Sequence, residues 1–154
     1  MASRFLDSSA VAKFYHPELG SAVVEQIVLD PAASILISRL SVVEVQSVFA
    51  GKVRSGAISA GDAADLRRRF FEDVANGLFR IVALTNEHYE KAGQLIECYV
   101  ASHGLRTLDS LQLAVALSLH RAGAVEDFVV ADRVLCKVAA IEGVRVTDPE
   151  SWMV

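Results

Sequence analysis

The sequence has few of the residues that mark disulfide-bonded or zinc-stabilised proteins. Its two cysteines, Cys98 and Cys136, lie far apart and form no CxxC motif, which indicates neither a disulfide nor a structural zinc site. We expect both thiols to be buried among apolar side chains. The histidines share no ligand-like spacing, and HExxH, Walker, GxGxxG and GxSxG motifs are all absent. The acidic residues therefore become the main candidates for chemistry.

Long apolar runs and an excess of basic residues are also missing. No stretch approaches the ~20 apolar residues of a membrane helix, and the N-terminus has no basic segment leading into a signal-type apolar run. We therefore expect a cytoplasmic protein without a membrane partner. Fifteen basic and nineteen acidic residues give a net charge of −4, which does not suit a general duplex-DNA binder. Acids gathered around a metal ion would still permit nucleic-acid chemistry.

Length and patterning predict one α/β domain covering residues 1–154, since 53% of the residues are hydrophobic. Helices between successive strands require crossover connections, so we predict a three-layer α/β/α fold around a five-stranded, mainly parallel sheet. The helical pair at 41–77 is expected to form an arm within it. The predicted strands are 4–6, 34–38, 79–84, 127–130 and 144–146. The predicted helices are 8–15, 18–29, 41–54, 59–76, 85–102, 107–122 and 133–141. Residues 147–154 are a predicted tail.

Two acids follow predicted strands directly and precede helices. Asp7 comes after the apolar segment 4–6, and Asp132 comes after 128–131. Ligands of parallel sheets bind outside the carboxyl ends of the strands, so both acids are placed for chemistry if their strands are adjacent. The alternative is that each acid only caps its helix, for which Asp is well suited.

Two further acids lie near the starts of apolar helices. Glu44 is surrounded by valines, and Ser41-x-x-Glu44 also matches a capping box, which explains the spacing but not the apolar surroundings. Asp109 begins the most apolar helix, where an acid suits the helix dipole. A partly desolvated carboxylate there needs a cation, either Arg106 or a metal ion.

Considered together, the four acids predict a metal site at one edge of the sheet. Crowded carboxylates repel one another, and a hard divalent cation relieves that repulsion. Mg²⁺ prefers oxygen ligands and needs few carboxylates, and Mn²⁺ accepts the same ligands. Four independent helix caps remain the alternative.

The segments that carry these acids resemble those of PIN-domain nucleases, and most closely the short VapC-type toxins of type II toxin–antitoxin systems. One difference is Val130, because the family often has Thr or Ser two residues before the fourth acid. The matching segments, in the family's order, are Leu6-Asp7-Ser8-Ser9-Ala10, the helix start 41–45 with Glu44, Leu108-Asp109-Ser110 and Val130-Ala131-Asp132-Arg133.

This resemblance implies a Mg²⁺- or Mn²⁺-dependent endoribonuclease that acts on single-stranded or loop RNA. Asp7 and Asp109 would be the main metal ligands, Asp132 would support a metal ion directly or through water, and Glu44 would orient or deprotonate the attacking water. The partners implied are the RNA substrate, an antitoxin laid over the cleft and a second copy of the chain in a homodimer.

Basic and hydroxyl side chains beside these acids are candidates for contact with the substrate. Arg106, Arg133 and Ser8 are the ones we expect to contact RNA, since arginines next to the acids would offset the repulsion of phosphate. Two alternatives stay open. A catalytically inactive PIN-like binding or assembly module would agree with Val130. A phosphotransferase with Asp7 as nucleophile lacks the second Asp expected in Asp7-Ser8-Ser9.

Overall fold

The structure is a computed structural model that describes residues 2–151. Over these residues the chain forms five strands and seven helices. In chain order they are β1 (Ala2–Leu6), α1 (Ser8–Tyr15), α2 (Ser21–Val28), β2 (Ala33–Ser38), α3 (Arg39–Arg54), α4 (Ala60–Ala75), β3 (Arg80–Val82), α5 (Asn86–His103), α6 (Thr107–Arg121), β4 (Asp127–Val129), α7 (Arg133–Ile141) and β5 (Val146–Thr147).

All five strands form one parallel sheet in the order β3-β2-β1-β4-β5. The predicted five-stranded sheet is therefore confirmed, and it is parallel throughout. From β1 the chain moves outward to β2 and β3, then returns across the sheet to β4 and β5. The strand order reverses between β1 and β4, which is where open parallel sheets leave a crevice for ligands.

Helices cover both faces of the sheet, which confirms the three layers. Successive side chains of a strand point to opposite faces, and here Phe5 and Leu36 pack in a core with α5, α6 and α7. Leu6 and Ile37, one residue further along each strand, pack instead with α1 to α4. The two faces are separate because right-handed crossovers that run in opposite directions from β1 place their helices on opposite sides.

The segment 41–77 contributes α3 and α4 to one of these layers. Phe49 of α3 and Phe70 of α4 are both almost fully buried, and the hydroxyl of Tyr15 donates to Asp73 Oδ2 over 2.7 Å, which ties α1 to α4. Its description as an arm stays a prediction.

Several predicted boundaries differ from the observed ones, and two of the differences have clear local reasons. The second helix begins at Ser21 rather than residue 18 because Gly20 adopts a φ of +87°, outside the helical region. The last strand lies at Val146–Thr147 rather than 144–146 because the amide of Val144 still closes the end of α7, donating to Ala139 O. Thr147 therefore belongs to the sheet, and residues 152–154 of the predicted tail lie outside the described residues.

The two cysteines were predicted to be buried, and Cys98 is not. Cys98 is exposed on α5, so its predicted burial was wrong, because it lies on the face of that helix turned away from the core. Cys136 is half-buried, and its Sγ donates to Val130 O at 3.2 Å. Across residues 2–151, no helix combines enough length with enough apolarity to cross a bilayer.

Candidate active site

The site is built first from two acids at the ends of adjacent central strands. The amide of Asp7, just after β1, donates to Val129 O at the end of β4 over 3.0 Å. Asp132 follows β4 by three residues and is the N-cap of α7. Both acids also cap their helices: Asp7 Oδ2 accepts from Ser9 N and Oγ at 3.3 and 2.6 Å, and Asp132 Oδ1 accepts from Leu135 N at 2.9 Å. The capping and site interpretations are therefore compatible.

Asp109 joins this edge of the sheet through Arg106. Asp109 lies in the first turn of α6 and is only 9% exposed. Arg106 Nε donates to Asp109 Oδ2 at 3.1 Å, and Arg106 Nη2 contacts Asp132 Oδ2 at 3.5 Å. One guanidinium therefore bridges two of the predicted site acids.

Glu44 belongs to the interior of α3 and not to its cap. The helix begins at Arg39, and Ser38 caps it by accepting from the amide of Ser41 at 3.2 Å. The capping-box alternative for Glu44 is therefore excluded, because Ser41 is already inside the helix. Glu44 Oε1 instead accepts from Ser8 Oγ at 2.9 Å and from Gln112 Nε2 at 2.8 Å.

Gln112 is the site residue that the sequence analysis missed. Its side chain is fully buried; Oε1 accepts from Ser38 Oγ at 2.9 Å, and Nε2 lies 2.9 Å from both Ser8 Oγ and Ser41 Oγ. Ser38 donates its hydroxyl proton to the Gln112 amide, and Ser8 donates its own to Glu44. Since a hydroxyl carries a single proton, Ser41 is the donor in its 2.9 Å pair with Ser8. The available signal was an amide at the centre of an otherwise apolar helix.

The pKa values show that the acids share one electrostatic environment. Burial raises the pKa of Asp7 to about 6, and the charges of Asp109 and Glu44 add to the rise. Burial also raises the pKa of Asp109, with contributions from Asp132 and Glu44 and partial opposition from Arg106. Asp109 in turn raises the pKa of Arg106 above its usual value, with help from Asp132 and Asp7. These mutual effects are those of neighbouring carboxylates.

The donor set suits a hard divalent cation. Asp109 and Asp132 contact the Arg106 guanidinium, and the charge of Asp7 also raises the pKa of Arg106. Such an acidic group of oxygen donors is the chemistry that Mg²⁺ and Mn²⁺ select. In the arrangement of side chains within residues 2–151, no three His, Cys, Asp or Glu side chains are already gathered as a ligand set. Arg106 contacts Asp109 and Asp132 in that arrangement.

The predicted substrate contacts occupy different surroundings. Arg133 begins α7 and its side chain is exposed, whereas Ser8 is 4% exposed and lies behind Glu44. Val130 is fully buried in the core beside α7. As a valine, it lacks the hydroxyl that the family often has at this position. The roles of Arg133 and Ser8 in binding RNA stay predictions.

A groove of about 430 Å³ adjoins the acids between α1 and α3. Ser9 and Asp132 line the end of the groove nearest the acids, and Lys52 lines it further along. Lys13 also lines the groove, but its ammonium is almost buried and donates to Glu150 Oε1 at 2.7 Å. Both signs of charge therefore meet along the groove.

The fold is that of an α/β protein in which acidic side chains lie where the parallel sheet reverses its strand order, and open sheets of this kind bind ligands at that edge. The family model described as PIN domain matches residues 4–141, and the chain belongs to this family. The resemblance drawn from the acid-bearing segments is thereby confirmed. No curated protein matches the chain significantly.

Solved structures with the same fold come from several bacteria. The crystal structure of FitAcB from Neisseria gonorrhoeae is 18% identical with a TM-score of 0.66, covering 98% of this chain and 99% of that one. VapC20 of Mycobacterium tuberculosis, described as a sarcin-ricin loop cleaving toxin, is 12% identical with a TM-score of 0.64, covering 92% and 95%. A toxin–antitoxin complex from Klebsiella pneumoniae is 16% identical with a TM-score of 0.61, covering 95% and 97%. At these identities the likeness establishes the fold.

Proposed function

We propose that the protein is a Mg²⁺- or Mn²⁺-dependent endoribonuclease that hydrolyses RNA phosphodiester bonds and serves as the toxin of a toxin–antitoxin pair. The observation that carries the proposal is the electrostatic coupling of acids from distant segments. Burial and the charges of Asp109 and Glu44 raise the pKa of Asp7, although Asp7 caps α1, Glu44 lies within α3 and Asp109 lies in the first turn of α6. A group of carboxylates that repel one another in this way is stable when a cation is close.

In this proposal Asp7 and Asp109 hold the ion, and Asp132 supports it directly or through water. A bound divalent ion supplies an activated water and stabilises the charge that develops on the phosphate. Asp7 is held for this role because Ser9 binds its Oδ2 through both backbone and side chain. Asp132 is held similarly by the amide of Leu135. Both carboxylates are therefore oriented before an ion arrives.

Glu44 is the group that orients the attacking water and accepts its proton. Both Ser8 and Gln112 donate to Oε1 of Glu44. Within residues 2–151, Oε2 makes no hydrogen bond, so that oxygen is the acceptor for the water proton. The hydrogen bonds to Oε1 hold the Glu44 carboxylate in place while Oε2 receives the proton. This is the geometry that general-base catalysis needs.

Arg106 and Arg133 are proposed to contact phosphates of the RNA, and Ser8 acts through its bond to Glu44. The groove beside Ser9 and Asp132 provides space for the strand that flanks the cut. VapC20 is described as a sarcin-ricin loop cleaving toxin, and this description supports RNA as the substrate class. The toxin–antitoxin complex from Klebsiella pneumoniae supports a cognate antitoxin as partner. A homodimer and a cytoplasmic location complete the proposal.

Metal-dependent cleavage of single-stranded RNA tests this function. The native protein should cleave only with Mg²⁺ or Mn²⁺, and Asp7→Asn or Asp109→Asn should reduce the rate by about a thousandfold, because either change removes a ligand and charge from the transition state. Asp65→Asn, the same change at an exposed acid on α4, should cleave normally. Thermal unfolding of all three variants should remain cooperative.

Other outcomes would replace the proposal. RNA binding without cleavage by the native protein would favour the inactive PIN-like module, for which the buried Val130 is the supporting feature. A trapped acyl-phosphate on Asp7 would favour a phosphotransferase. Full cleavage by both Asp7→Asn and Asp109→Asn would refute the roles assigned to these acids.

A further inference from the structure

Arg106 occupies the same carboxylate oxygens that an ion at the proposed metal site would need. Its Nε donates to Asp109 Oδ2 at 3.1 Å and its Nη2 contacts Asp132 Oδ2 at 3.5 Å. For Asp132 the competition is direct, because Oδ1 already accepts from the amide of Leu135. Oδ2 is the oxygen of Asp132 that faces either the guanidinium or an ion.

The Arg106 guanidinium is exposed enough to be displaced from these two contacts. The Arg106 side chain is 74% exposed, whereas those of Asp109 and Asp132 are 13% and 32% exposed. Ion pairs with a largely exposed partner contribute little, about 0–1 kcal/mol each, because water screens them. A divalent ion brings twice the charge of a guanidinium to the same oxygens. Of these three side chains, the exposed Arg106 is therefore the one that can move away.

We propose that Arg106 is a tethered counter-ion that neutralises Asp109 and Asp132 in the metal-free protein and competes with the divalent ion for them. When the ion binds, the guanidinium is displaced toward solvent and becomes available to a phosphate of the RNA. This inference rests on the proposed metal site. It adds that Arg106 keeps the affinity of the site for a divalent ion lower than the carboxylates alone would give.

Calorimetric titration of the full, metal-free chain with Mn²⁺ at neutral pH tests the competition. Arg106→Gln should bind Mn²⁺ about fivefold more tightly than the native protein, since it removes two exposed ion pairs with the competing cation. Arg106→Lys keeps the charge but cannot contact two carboxylates through separate nitrogens, so its affinity should lie between the two. Arg121→Gln makes the same charge change at the far end of α6 and should change the affinity less than twofold.

A second measurement follows the Arg106 side chain in the native protein and uses a variant only to assign one signal. The Nε–H signal of Arg106 in a ¹H–¹⁵N spectrum, identified by its loss in Arg106→Gln, should shift on titration with Mg²⁺ and saturate with the Mg²⁺ affinity that calorimetry gives for the same protein. A signal that does not move while Mg²⁺ binds would show that Arg106 keeps its contacts, and would overturn the inference.

The outcomes separate this inference from the proposed function. Native protein that binds Mn²⁺ but cleaves no RNA would contradict the nuclease proposal, while tighter binding by Arg106→Gln would still support the competition. Normal metal-dependent cleavage combined with equal or weaker Mn²⁺ affinity in Arg106→Gln would overturn the competition alone. No Mn²⁺ binding by any of the proteins would overturn both.

Discussion

Gln112 Nε2 lies 2.8 Å from Glu44 Oε1 and so joins α6 to α3 across 68 residues of the chain. The amide has no exposed surface, so the contact belongs to the interior and not to the rim of the site. Ser8, Ser38 and Ser41 surround the same amide. A fully buried hydrogen-bond network of this kind requires every member, because an unpaired buried polar group is costly. Glu44 is thus oriented by residues that have no contact with the substrate in our proposal.

Gln112→Leu should therefore lower both stability and cleavage. The change leaves buried hydroxyls without a partner, which costs roughly 2–3 kcal/mol of unfolding free energy. It also removes one of the two donors to Glu44 Oε1, so the cleavage rate should fall about tenfold. Urea unfolding and a cleavage assay on one RNA measure the two effects.

The matched control is Leu113→Met at the neighbouring buried position, which conserves volume and leaves the network intact. It should cost less than about 1.5 kcal/mol and leave cleavage unchanged. Native cleavage by Gln112→Leu would show that Glu44 does not depend on the network.

Asp7→Asn should stabilise the metal-free protein at high pH. Burial raises the pKa of Asp7 from 3.8 to about 6, so its ionised form opposes folding above pH 6 by at most about 3 kcal/mol. Asn removes this charge and remains a good helix cap. In EDTA at pH 8 the variant should therefore unfold at higher urea concentration than the native protein.

The pH dependence of this difference has a definite sign. The penalty is fully present above the folded pKa of about 6 and disappears below the unfolded value of 3.8, where Asp7 is protonated in both states. The two unfolding curves should therefore converge as pH falls from 6 to below 4. Lower stability of Asp7→Asn at pH 8 would mean that the charge is compensated within the metal-free fold.

Two glycine substitutions should act in opposite directions. Gly20 has a φ of +87°, and a Cβ there would lie 3.1 Å from the carbonyl carbon of Pro149. Gly20→Ala should therefore cost about 1–3 kcal/mol through backbone strain and crowding. Gly93 lies within α5 with no atom inside 4 Å of an added Cβ, so Gly93→Ala should gain about 0.5–1 kcal/mol. Thermal and urea unfolding measure both, and a shared sign would contradict the explanation.

Most of the fold could be predicted because its signals are local. The helix at residues 133–141 was predicted with its observed ends, since the acid before it caps the helix and the apolar spacing continues to Ile141. The positions of Asp7 and Asp132 after strands followed from the same kind of pattern. The start of α3 was predicted two residues late, at residue 41, because Ser38 and Ser41 both offer a hydroxyl and only Ser38 caps the helix.

The partners of the site residues could not be predicted, because each contact depends on which elements meet. Gln112 looks like one polar residue in an apolar helix until α6 packs against the sheet opposite Ser38. The sequence analysis offered Arg106 or a metal ion as the counter-ion of Asp109. Only the packed chain adds that the same guanidinium also reaches Asp132.

By itself the sequence determined the alternation of strands and helices and the placement of an acid at two strand ends, because hydrogen bonds and side-chain periodicity within a few residues decide those features. The tertiary structure alone decided that β1 and β4 are neighbours. That adjacency brings together carboxylates from opposite ends of the chain. It arises from burial of apolar surface on both faces of the sheet, a property of the whole chain that no short segment carries.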